Sequence, residues 1–362
     1  MPNSIRIRRL ASSIGTLAAL LVLLPSIALS VRYDPSVWRI VPNADALGMG
    51  GAFSAVAEGP AAVRWNPASL PFQSGAALDI VPYVRPTPSF DYVWFTSSAG
   101  SIDFGSVGIG ANVNYYEVDD IDRVDANHQR HGVFDWSNIG VLFGAGVDLL
   151  DFLGSGREYQ PVRIGLGGTF KYYLADDYFS DFPGDYVASA HGWDLDFGSL
   201  VRIDRMAGET FTQVSGAWTV ENVLDRKVQP DDLPVTRVDR LGLATSVSTG
   251  TARFFPYVLR VRLVGDVSGI LVTPDDWDTT VYNAGAELDG FGIAALRIGW
   301  ASDSHGDFHG TSFGARLGNE FPVGPAGGLF DRLAVRVDFA SVPSDIGQRA
   351  EYFTLAIRTG FH

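Results

Sequence analysis

The residues best suited to chemistry in this 362-residue chain are two histidine pairs and one acidic run. His128 with His131, and His305 with His309 beside Asp303 and Asp307, have spacings open to a metal ion. Asp119, Asp120, Asp122 and Asp125 could attract a hard cation, but the order of an EF-hand loop and its glycine are absent. All of them fall in polar connecting stretches, so they read as solvated side chains and no metal is expected. Gly48-Met49-Gly50-Gly51 has the glycine density of a phosphate cradle, yet no strand precedes it and no helix with an acidic partner follows. A Gly-x-Ser-x-Gly elbow is missing and no triad can be defended, so neither an enzyme nor a cofactor is expected. The chain has no cysteine, which removes thiolate metal sites, disulfides and a lipid-anchor cysteine.

With catalysis set aside, the ends and the charge point to export. Arg6, Arg8 and Arg9 precede an uncharged apolar run, Leu17 to Leu24, and Ala28 and Ser30 stand before Val31 as a cleavage site would require. Residues 1–30 therefore read as a signal peptide, and Pro25 and the small residues weigh against an uncleaved anchor. Its removal takes three arginines and no acid, leaving 24 basic against 41 acidic residues, a net charge of −17. Such a surface repels phosphate backbones, so nucleic acid is not a partner.

From Ser74 onward the apolar residues recur with period two, as in strands with two different faces. Val107, Ile109, Ala111, Val113 and Tyr115 alternate with Gly108, Gly110, Asn112 and Asn114. Trp193, Leu195, Phe197, Val201 and Ile203 alternate with Asp194, Asp196, Gly198, Arg202 and Asp204. The pattern runs to the end, where Phe353, Leu355, Ile357 and Phe361 oppose Thr354, Arg358 and Gly360. About fourteen segments result, each near the length that a tilted strand needs to cross a bilayer.

A soluble sandwich alternates too. Here, however, one face carries Val, Leu, Ile, Phe and Trp while the other carries Arg, Asp, Glu, Asn and much Gly, as lipid-out and polar-in requires. Links near 117–135, 175–189, 222–238, 268–279, 301–310 and 340–350 are long and polar; those near 99–105, 205–210, 250–256 and 289–292 are short. Long outer loops alternating with short periplasmic turns place both barrel ends in the periplasm, although 149–161 and 321–331 are longer than such turns usually are. The fold expected is all-β, a transmembrane antiparallel up-and-down barrel over 74–362, in the outer membrane of a Gram-negative-type bacterium.

The inward face would carry Arg163, Arg202, Arg260, Arg262, Arg297, Arg316, Arg336 and Arg358 against Asp148, Asp194, Asp196, Asp204, Glu221, Asp266, Glu287 and Asp338. The signs nearly balance, which favours ion pairs tying a lumenal segment to the wall over an ion-selective lining.

That segment is the Ala- and Gly-rich part of residues 31–73, too poor in apolar bulk to fold alone. Its stretch Ala46-Leu-Gly-Met-Gly-Gly-Ala-Phe-Ser-Ala-Val-Ala-Glu-Gly-Pro-Ala-Ala-Val-Arg-Trp-Asn-Pro-Ala-Ser-Leu70 resembles the N-terminal segment of the PorV/PorQ family, within the FadL-like outer-membrane barrels. "AALRIGWAS", "GTSFGARLG", "LAVRVDFAS" and the final aromatic strand resemble the last four strands of that family. The resemblance implies about fourteen strands and a plug folded into the lumen, with Gly48, Gly50, Gly51, Trp65, Asn66 and Pro67 as its motif. By the same resemblance the chain would move hydrophobic molecules or handle secreted proteins of a type IX-like system. A plugged barrel without transport is the alternative, and a barrel enzyme the third. Outer-membrane lipid and the barrel-assembly machinery are the expected partners, with Phe361 in the terminal assembly signal.

Overall fold

In the computed structural model, the described residues are 43–73, 75–84, 93–124, 130–154, 161–179, 186–224, 227–228, 233–234, 237–250, 257–269, 280–303, 309–322, 332–343 and 349–360. The expected signal peptide and Phe361 lie outside them, as do His128, His305, Asp125 and Asp307.

Alternation drives the chain into strands β1 (Ala76–Val84), β2 (Val93–Asp103), β3 (Val107–Val124), β4 (Arg130–Asp148), β5 (Val162–Phe179), β6 (Tyr186–Ala207) and β7 (Thr210–Glu221). After two short strands, β8 (Lys227–Val228) and β9 (Leu233–Pro234), come β10 (Val238–Thr249), β11 (Leu259–Ser268), β12 (Val281–Gly290), β13 (Ala294–Asp303), β14 (His309–Pro322), β15 (Arg332–Pro343) and β16 (Arg349–Gly360). Fourteen of them form one closed antiparallel barrel in sequence order, with β8 and β9 paired separately. Closure comes from β1, which pairs with β2 on one edge and with β16 on the other. No edge is left open, which is the condition for a sheet to sit in hydrocarbon. No helix among the described residues is long and apolar enough to cross a membrane.

The outward row is apolar and open: Phe143, Leu166, Phe197, Trp218, Leu243 and Leu296 are all exposed large hydrophobic side chains. Charged residues take the other parity, and Asp194, Asp196, Arg202, Arg297 and Asp338 are buried inside. This is the reverse of a soluble protein and the form of a transmembrane barrel.

Two expectations about the links need correction. β3 to β6 run for 18, 19, 18 and 22 residues, so the supposed loops 117–135 and 175–189 are mostly strand. Asp119, Asp120 and Asp122 belong to β3, and His131 to β4. A ladder continues as long as neighbouring strands keep pairing. The 149–161 link opens with a four-residue helix, Leu149–Phe152, whose Leu150 N–H is capped by the Asp148 carboxylate.

Candidate functional site

The lumen is occupied by residues 43–72. Helix α1 (Ala44–Gly48), a 3-10 turn at Gly59–Ala61, helix α2 (Ala62–Trp65) and a 3-10 segment at Pro67–Phe72 follow one another. None is long enough to hold itself together in water. Small residues let the segment pack tightly, and Met49, Phe53, Val63, Trp65 and Leu70 form one core with Leu142, Leu200 and Val264 of the wall.

The plug's own main chain is satisfied by wall side chains. The amides of Phe53 and Ser54 both donate to Asp266 Oδ2 at 2.9 Å. Thr169 and Ser215 hydroxyls donate to the carbonyls of Val63 and Ala55, each at 2.7 Å. Arg163 donates to the Pro71 carbonyl at 2.9 Å, pairs with Asp148 at 2.6 Å and lies over the Phe72 ring. At the other end, the Ala44 amide donates to Thr354 Oγ1.

Asn66 is the local organiser of the Trp65–Asn66–Pro67 box. Its Oδ1 accepts the Ala68 amide and starts the 3-10 segment, while Nδ2 donates to the carbonyls of Ser54 and Ser199. The glycines Gly50 and Gly51 take positive φ, and Gly50 lies so close to the Trp300 backbone that a Cβ would sit 2.6 Å from it.

Charge is arranged in two groups. Arg64 of the plug pairs with Glu221 at 2.7 Å, Glu221 also meets Arg240 at 3.2 Å, and Arg240 stacks on Trp65. Beside them Lys171 pairs with Asp196 at 2.6 Å. In the second group Arg297 joins Glu287 and Asp338, Arg260 joins Glu287 and Asp289, Arg262 approaches Glu287, and Arg316 meets Asp289. Arg202 reaches Glu58 of the plug at 3.5 Å. Burial works against charge on Glu58, but Arg262, Arg202 and Arg358 outweigh it and hold the carboxyl down to about 2.

Arg163, Asp194, Asp196, Arg202, Arg260, Arg262, Arg297, Arg336, Asp338 and Arg358 thus lie on the inward parity, most of them in pairs. Asp194 and Asp196 also accept the amides of Leu224 and Asn222, fixing the chain where it leaves β7. Of the two histidine pairs, His128 and His305 lie outside the described residues; His309 is exposed at the start of β14, and no metal-sized cluster occurs among the described residues.

Sequence reasoning missed Arg64 and the purpose of the wall glycines. Arg64 was legible as one of only three charges between 43 and 71, with Asp45 and Glu58. The wall glycines were legible as inward positions with no side chain. A Cβ on Gly146 would lie 2.3 Å from the Pro67 carbonyl oxygen, on Gly165 2.2 Å from that of Ala68, and on Gly198 2.2 Å from Asn66 Oδ1. The plug's backbone rests directly on these strands.

Comparison with known proteins finds no matching family model and no matching curated protein. Among solved structures the chain is similar to a FadL homologue from Pseudomonas aeruginosa, at 9% identity and a TM-score of 0.46, over 88% of this chain and 98% of that one. It is also similar to the CymD monoaromatic hydrocarbon channel, at 10% identity and a TM-score of 0.43, over 88% and 97%. The toluene transporter TodX of Pseudomonas putida aligns at 11% identity and a TM-score of 0.41, over 92% and 98%.

Proposed function

We propose that this chain is exported by a cleaved N-terminal signal and resides in a bacterial outer membrane. There its own residues 43–72 would shut the lumen and rearrange to let hydrophobic small molecules through. The observation that carries this reading is the polar, incompletely satisfied seam between plug and wall. Trp65 Nε1, Thr219 Oγ1 and both amide atoms of Asn138 are buried without hydrogen-bond partners among the described residues. A permanently closed core would be expected to pair such groups or replace them with apolar ones. Beside Arg64, Asn138 and Tyr173 bound a niche of about 20 Å³, room for a single water. A wet seam held by ion pairs can reopen at a lower cost than a dry one.

A second reading, the handling of secreted proteins, is favoured by one feature. At 18 to 22 residues, β3 to β6 exceed the nine to eleven that span a bilayer, so they rise beyond it as a ribbon that a protein cargo could meet.

The test is single-channel conductance in planar bilayers, with and without residues 43–70. The full protein should be nearly closed, and the deleted barrel should insert and conduct. Uptake of a hydrophobic fluorophore into protein-containing liposomes, measured against plug-locked protein, then separates transport from a plain closed barrel. Equal conductance in both forms would remove the plug as a gate.

A further inference from the structure

The pairing register places Gly146 of β4 opposite Gly167 of β5, and Gly167 opposite Gly198 of β6. On the inner side, a Cβ at any of the three would collide with Asn66 or Pro67. The wall is therefore a single backbone thick behind the Asn66–Pro67 box. On the outer side the same row forms the floor of a trough. Val147, Leu166, Phe197 and Trp218 stand along its flanks, while Ala145 and Ser199 leave it deep; it encloses about 660 Å³.

The far end of the trough has a different character. β7 stops at Glu221 while β6 continues, and the chain turns at Asn222 with φ of 55°. The Val223 amide donates to the Leu195 carbonyl, which folds this exit against β6. Val220, on the outward parity of Trp218, is only 3% exposed. Val223 and Arg237 close the trough there. The Nε of Arg237 is buried with no hydrogen-bond partner among the described residues. Asp239, the acid on the same face, is fully buried and has a partner of its own.

We infer that this outward trough binds one anionic phospholipid of the surrounding bilayer, an acyl chain along the glycine floor and the phosphate on Arg237. Three features select this occupant. The trough opens to hydrocarbon, so its contents come from the membrane. Its length is apolar, which suits an acyl chain and gives a polar solute nothing to bond. Its one cation has no counter-ion among the described residues, and a guanidinium at a membrane boundary is costly until a phosphate supplies the charge and acceptors it lacks. A zwitterionic lipid brings its own cation to the same spot and gains less. The site needs the barrel to lie in a bilayer but is independent of whether the plug gates a cargo.

The full-length mature protein in nanodiscs of phosphatidylcholine and phosphatidylglycerol supplies the test, with retained lipid counted by native mass spectrometry. The wild type should keep one phosphatidylglycerol in preference to phosphatidylcholine, by about tenfold for one charged contact. Arg237→Gln should bring the two lipids to parity. Ala145→Phe, which fills the trough and leaves Arg237, should lower retention of both. Trp218 gives a reading on unaltered protein. Its emission, taken as the difference from Trp218→Phe, should be quenched more by brominated phosphatidylglycerol than by brominated phosphatidylcholine. Equal retention and equal quenching by the two lipids would overturn the site. So would undiminished retention in Ala145→Phe, or a trough holding a hydrophobic molecule without phosphate.

Discussion

At the scale of single residues, the plug is held by a few buried polar contacts on an apolar ground. Among the described residues the Arg64–Glu221 pair is the most enclosed of the ion pairs crossing from plug to wall, each side chain being 9% exposed. Removing one partner of such a pair leaves an uncompensated charge, a loss of about 3–5 kcal/mol. Glu221→Ala, which strips the carboxylate from both Arg64 and Arg240, should therefore turn a quiet barrel into one with frequent conductance bursts. Replacing both charges with apolar side chains of similar size is often tolerated. Arg64→Met combined with Glu221→Met should accordingly be quieter than Glu221→Ala alone. If Glu221→Ala stays as closed as the wild type in planar bilayers, the pair is not what holds the plug.

At the scale of elements, the strands of the wall are cut to the plug's outline by glycine. Gly146, Gly167 and Gly198 meet plug main chain or Asn66, whereas Gly216 points outward, where a Cβ would meet only Leu243 at 3.5 Å. Alanine at each inner position should overpack the seam by about 1–3 kcal/mol and loosen the plug. The absence of cysteine makes this measurable, because Ser54→Cys gives a single buried reporter. Maleimide labelling of Cys introduced at that position should speed up in Gly146→Ala, Gly167→Ala and Gly198→Ala, and remain slow in Gly216→Ala. Equal labelling across all four would mean that the glycines are not fitted to the plug.

At the scale of the whole molecule, the outward belt and the closed ladder belong together. Phe143, Leu243 and Leu296, at 56%, 71% and 67% exposed, would be an aggregation surface in water and are matched only by lipid. The folded protein should need detergent, and it should migrate differently on a gel before and after boiling because the barrel resists dodecyl sulfate when cold. Recovery as a soluble monomer without detergent would contradict the membrane reading.

What the sequence determined by itself is what local periodicity encodes. The alternation of Val107 to Tyr115 and of Trp193 to Ile203 dictated strand, facing and count, and the Ala- and Gly-rich 43–71 stretch announced a segment unable to fold alone. The tertiary structure alone decided which partners meet. Arg64 and Glu221 are 157 residues apart, and Phe53 and Asp266 are 213 apart. Their meeting depends on the register of every intervening strand and on the closure of β1 with β16, and no local pattern records either. The same holds for the glycine row Gly146–Gly167–Gly198. Each glycine is visible alone, but three become one floor only when adjacent strands pair in that register, because hydrogen bonding across the sheet, not order along the chain, sets which residues are neighbours.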